Sequence, residues 1–102
     1  MKAIVNAKLV LEGGRVECGS LLMENGRILA VGNIIPPENA EIIDAGGLYA
    51  GPGYVDIHCH GGGGYDFMDA SPEEMTRISC FHLKHGTTTL VATTMTDRWP
   101  NM

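Results

Sequence analysis

"GPGYVDIHCHGGGGYDFMD", residues 51–69, is the stretch that decides the fold. A short apolar run carries an Asp and two His at alternate positions, then meets four glycines in a row. Successive side chains of a strand point to opposite faces. Alternation therefore predicts Asp56, His58 and His60 on one face and Val55, Ile57 and Cys59 on the other. The apolar set suits packing beneath a helix. The polar set belongs in a site or a satisfied network, because burying it unpaired is costly. Two neutral imidazoles one strand repeat apart can reach a single divalent cation. Two polar side chains at a sheet rim would be the plainer explanation of an HxH pair. The strand context, the alternate Asp and the glycines favour the ligand pair. Gly61–Gly64 let the chain turn sharply and approach a ligand closely, which a Cβ would hinder.

Downstream, "SPEEMTRISCFHLKHG" (71–86) has the marks of a helix. Ser71 is a good N-cap, Pro72 suits the first helical position and Glu74 completes a capping box. Met75, Ile78 and Phe81 recur at a spacing of three, widened by Cys80 and Leu83 into an apolar face, and Gly86 is a natural stop. "TTTLVATTM" (87–95) follows as a β-branched strand. Strand, glycine loop, helix, strand is a βαβ unit, with parallel neighbours and a right-handed crossover. The two His then lie at the C-terminal end of their strand, where α/β folds assemble their sites. A two-stranded parallel sheet cannot cover both its faces, so the chain reads as the opening of a larger protein.

Upstream, residues 1–50 read as β structure. "ENGR" places a tight turn between two apolar runs, predicting a hairpin with arms Ser20–Met23 and Arg27–Val31. Pro36-Pro37 marks a loop, and a short strand is expected around Ile42–Asp44. The domain reading is a β-rich part at 1–51 and a strand-helix-strand part at 52–102.

Of 102 residues 44% are hydrophobic, enough to bury apolar surface, and the net charge of -5 argues against a general nucleic-acid partner. Cys18, Cys59 and Cys80 are an odd number without a CxxC pair, which fits a reduced, cytoplasmic protein. Asn6 and Lys8 interrupt the apolar N-terminus, so it does not read as a signal peptide. No apolar run approaches a membrane span, and no membrane partner is expected.

Several other residues invite a role. His82 and His85 read as a solvated pair favoured by the helix dipole. Asp66 and Asp69 read as turn caps. Cys59 points away from the His pair and is rejected as a ligand. The glycines lack the following Lys-Ser/Thr of a phosphate loop. Thr87–Thr89 and Thr93–Thr94 read as strand formers and Trp99 as packing.

"GPGYVDIHCHGGGGYDFMDAS", followed by "HGTTTLVATTMT", resembles the N-acetylglucosamine-6-phosphate deacetylase family of the amidohydrolase superfamily. The broader signature falls on Pro52, Gly53, Asp56, His58 and His60; the narrower one is "HGGGGYDFMD" with "GTTT" and "ATTMT". The resemblance implies an α/β protein, a (β/α)8 barrel preceded by a small β-sandwich, with this chain stopping after the second barrel strand. It implies hydrolysis of the acetamide of N-acetylglucosamine 6-phosphate to glucosamine 6-phosphate and acetate. His58 and His60 match the metal-ligand positions. A Glu, further His residues and the catalytic Asp that moves the protons would lie beyond residue 102, so no catalytic residue is assigned. The metal would be divalent, zinc first, with Fe, Mn, Co or Ni as alternatives. The substrate partner is a phosphorylated amino sugar, and the full-length family is expected to be a homodimer. A barrel needs about 250 residues, so the 102-residue chain alone is not expected to be a competent deacetylase. The alternatives are another amidohydrolase acting on a cyclic amide, and a non-catalytic fragment.

Overall fold

The computed structural model describes residues 1–98, and Trp99 lies outside them. Contacts divide the chain into one compact unit, Met1–Pro52, and a second from Gly53 onward.

The first unit is a single mixed sheet. Strands β1 (Lys2–Val10), β2 (Val16–Glu24) and β3 (Arg27–Gly32) run antiparallel to one another in sequence order. Asn25 and Gly26 join β2 to β3 with φ of 50° and 73°, the positive pair that a type I′ hairpin turn requires. The predicted hairpin is present, with a longer first arm than its apolar run suggested. β4 (Glu41–Asp44) and β5 (Tyr49–Ala50) both pair with β1 in parallel, along its first and second halves. Between those halves the β1–β2 register shifts, and Asn6 sits there with φ of 54°. This parallel return could not be read from apolar runs, which do not encode partner direction. The expected sandwich is met by one sheet among the described residues. Ala3, Ala7, Leu9 and Ser20 are its buried residues. Burying Leu9 contributes about 1.5–3 kcal/mol.

The second unit contains the expected βαβ order. Strand β6 (Tyr54–Cys59) pairs in parallel with β9 (Thr87–Ala92). Between them lie a two-residue hairpin, β7 (Gly61–Gly62) with β8 (Tyr65–Asp66), and helix α1 (Pro72–Lys84). The helix begins as its sequence dictates. Glu74 N donates to Ser71 Oγ at 3.3 Å and Ser71 N donates to the Glu74 carboxylate at 2.8 Å. It ends before Gly86, whose φ is 93°.

Two packing expectations are corrected. Of the helix face only Ile78 is buried; Met75, Cys80, Phe81 and Leu83 are exposed. Val55 and Ile57 are exposed as well, Ile57 at 76%, so they do not pack beneath the helix. A parallel pair of strands and a short hairpin offer the helix too little surface to cover the whole stripe. Strand β9 also stops at Ala92, short of the run that β-branched composition suggested.

Candidate metal centre

The site is built at the end of β6, where the strand departs from regular alternation. Asp56 pairs with Leu90 and Cys59 with Ala92, so two residues of β6, Ile57 and His58, oppose the single Val91 of β9. Such a bulge re-aims side chains and is common beside active sites. The backbone around it is pinned. His58 N donates to the Asp56 carboxylate at 3.1 Å, Cys59 N donates to Thr93 Oγ1 at 3.1 Å and Thr93 N donates to Cys59 O at 2.8 Å. His60 O accepts from Phe67 N at 2.8 Å.

On this frame the two imidazoles converge. His58 Nε2 and His60 Nε2 are 3.1 Å apart, with ring centroids 5.0 Å apart and planes inclined by 64°. Two nitrogens each about 2.0–2.1 Å from one zinc ion, meeting at tetrahedral to near-right angles, lie roughly 3.0–3.4 Å from each other. The pair has that spacing. His60 Nδ1 is buried and has no hydrogen-bond partner among the described residues. With Nε2 given to a cation, Nδ1 would carry the ring proton that a ligating histidine usually donates onward, and no acceptor for it stands among the described residues. By their spacing the residues present fit a divalent cation.

The bulge also overturns part of the alternation expected for β6. The Asp56 carboxylate groups with Cys59 Sγ and a His82 ring nitrogen, all within 4.8 Å of one another. His82 is half-buried and not solvated: its Nε2 lies 2.9 Å from Gly61 O and 3.3 Å from Cys59 Sγ. His85 is exposed and sets its Nδ1 2.8 Å from Phe81 O at the helix end. Asp66 caps a turn, accepting from Met68 N at 2.9 Å, while Asp69 lines an open cleft with Tyr65 and Glu74. Thr93, read as a strand former, instead holds Cys59. His82 stands 21 residues beyond Gly61 and Thr93 34 beyond Cys59, with no local signal joining either pair.

The glycines divide their labour. Gly63 and Gly64, with φ of 62° and 93°, form the two-residue turn between β7 and β8. Gly61 and Gly62 are needed for close approach. A Cβ on Gly61 would collide with Tyr65 O, and one on Gly62 would sit 2.6 Å from His82 Nε2 and 3.0 Å from the Phe81 ring.

No protein-family model matches the chain. It is 34% identical over 94 residues to N-acetylglucosamine-6-phosphate deacetylase of Lysinibacillus sphaericus, covering 92% of this chain and 24% of that protein. A dihydroorotase of Lactococcus lactis subsp. lactis is 43% identical over 58 residues, 56% of this chain and 14% of that enzyme. Among solved structures, N-acetylglucosamine-6-phosphate deacetylase from Pasteurella multocida superposes with a TM-score of 0.87 at 29% identity, covering 98% of this chain and 27% of that one. A mutant of the Mycobacterium smegmatis enzyme in complex with N-acetyl-D-glucosamine-6-phosphate gives 0.74 at 35% identity, covering 94% and 25%.

The chain is α/β, and its structural neighbours are deacetylases. It is homologous over nearly its whole length to N-acetylglucosamine-6-phosphate deacetylases, and over about half of it to dihydroorotases. It spans about a quarter of the length of those deacetylases.

Proposed function

We propose that this chain supplies two ligands, His58 and His60, to the metal centre of an amidohydrolase. The whole protein, in this reading, hydrolyses N-acetylglucosamine 6-phosphate to glucosamine 6-phosphate and acetate. The observation that carries the proposal is the 3.1 Å convergence of the two Nε2 atoms at a strand end. β6 and β9 are then the first two strands of a (β/α)8 barrel, following a small β domain at 1–51. Zinc suits two imidazoles best, with Fe, Mn, Co and Ni as alternatives. A cytoplasmic location accords with three free cysteines and with the lack, among the described residues, of any helix long and apolar enough to cross a membrane. A homodimeric whole protein belongs to the same proposal, on the family resemblance.

A bound divalent cation supplies Lewis acidity, polarising the amide carbonyl and making water a better nucleophile at neutral pH. The chain's own part is to hold that charge in place. His58 and His60 bind as neutral imidazoles, aimed by the bulge and by the Asp56 contact to His58 N. The β7–β8 hairpin carries the backbone away immediately after His60. No group among the described residues is assigned to move the protons of amide cleavage.

Titration of the chain with Zn2+ or Co2+ tests the ligand pair. One cation per chain is expected, and His58→Ala or His60→Ala should weaken binding at least tenfold, which is about 1.4 kcal/mol. Unchanged binding in both variants would remove the assignment. The dihydroorotase similarity supports a second reading, a cyclic-amide hydrolase. Release of acetate from N-acetylglucosamine 6-phosphate, set against ring opening of dihydroorotate, separates the two on the longest product of the gene. Turnover by the 102-residue chain itself with one metal equivalent would show that the remaining residues of a barrel are dispensable. We expect none.

A further inference from the structure

We infer that His82 is a positioning residue for the histidine pair, acting through the Gly61 carbonyl; the inference rests on the metal-ligand reading above. His82 Nε2 is 2.9 Å from Gly61 O. A carbonyl oxygen can only accept, so Nε2 carries the proton and is not free to bind a cation. Cys59 Sγ donates to the same oxygen at 3.2 Å, which occupies its second lone pair. Asp56, Cys59 and His82 thus bring together nitrogen, sulfur and oxygen as a metal site would, yet each is already engaged. Asp56 accepts from His58 N at 3.1 Å.

The cluster is a brace on both sides of the ligand pair. Asp56 holds the peptide entering His58, and His82 with Cys59 holds the Gly61–Gly62 peptide, the second one beyond His60. The His60 carbonyl accepts from Phe67 N and the next carbonyl, Gly61, from His82 and Cys59, so the chain leaving His60 is anchored at two successive peptides and the backbone that carries the His60 ring has little room to turn. Cys59 is 7% exposed and His82 is half-buried, so water competes weakly for these bonds. Gly62 makes the brace sterically feasible, because a side chain there would meet His82 Nε2 at 2.6 Å.

Co2+ titration of the 102-residue chain distinguishes this from general packing. His82→Leu removes the donor, whereas His82→Gln keeps an N–H at similar reach. Groups bonded directly to a ligating ring typically change metal affinity 10–100-fold when removed, and His82, which acts through the backbone, belongs at the low end of that range. We expect His82→Leu to weaken Co2+ binding about tenfold and to alter the cobalt d–d spectrum, with His82→Gln within about threefold of wild type. Gly62→Ala, which displaces His82 without changing its chemistry, should weaken binding as well; it covers the case that His82→Leu does not fold. Equal affinity in wild type, His82→Leu and Gly62→Ala would overturn the proposal. So would losses in Leu and Gln variants that merely track lost thermal stability. A thiolate-to-cobalt absorption band that vanishes in Cys59→Ser would overturn it too, by showing that the cluster itself takes the metal. If wild type bound no Co2+, the histidine-pair reading would fall, and this inference with it. Bound metal indifferent to His82 would sink this inference alone.

Discussion

Single residues at the two turns and the bulge do work that composition does not announce. Asn6, inside β1 at its register shift, has φ 54° and donates from Nδ2 to the Asp44 carboxylate at 3.0 Å, while Gly46 N donates to the same oxygen at 2.9 Å. These two bonds, the backbone one foremost, hold the Asp44 carboxyl below its usual range. In the second unit the comparable constraint is Gly64, at φ 93°. Gly64→Ala should destabilise the chain by about 1–2 kcal/mol, since an L side chain resists the left-handed region. Urea denaturation checks this, and a loss under 0.3 kcal/mol would mean the hairpin relaxes to another turn, set against the roughly 1–2 kcal/mol of that strain. The HxH spacing was legible at this scale, and so were the Asn-Gly turn and the helix cap, because each is decided by a few neighbouring residues. Asp56 was misassigned at the same scale. A bulge depends on how the partner strand registers, and period-two reasoning takes that register for granted.

At the scale of elements, α1 begins where its capping box dictates, and the box is acid-sensitive. Bonds from Ser71, the backbone N–H first and then the hydroxyl, hold the Glu74 carboxyl below its usual value. A group depressed in the folded state stabilises fully above its unfolded pKa, about 4.3 for Glu. That contribution is lost as pH falls through the lower folded value. Far-UV circular dichroism between about pH 5 and pH 2.5 should therefore show the helix onset weakening in acid. Ser71→Ala should cost about 1 kcal/mol at neutral pH and flatten that acid limb. A variant with the wild-type acid profile would assign the dependence to other carboxylates. The same helix shows where pattern reading stops. A spacing of three located an apolar stripe correctly, but burial depends on what surface the neighbouring elements present. Only Ile78 finds full cover.

For the molecule as a whole, two small cores sit in two compact units, Leu9 anchoring the first and Ile78 the second. Ile78→Ala should cost roughly 2–5 kcal/mol, the usual range for truncating a buried aliphatic side chain. In amide hydrogen exchange, protection should fall across α1 and β9 and persist in β1–β3. Equal loss in both units would show that they unfold together. By itself the sequence determined the βαβ order, the hairpin, both ends of the helix and the two histidines, since these follow from local propensity, turn chemistry and short spacing. Tertiary structure alone decided that β4 and β5 return parallel to β1, that β6 bulges at Ile57–His58, and that His82 reaches the Gly61 carbonyl. The reason is physical. Strand direction, register and the approach of a helix to a glycine loop depend on contacts between residues far apart in the chain, whose energies no local window of sequence contains.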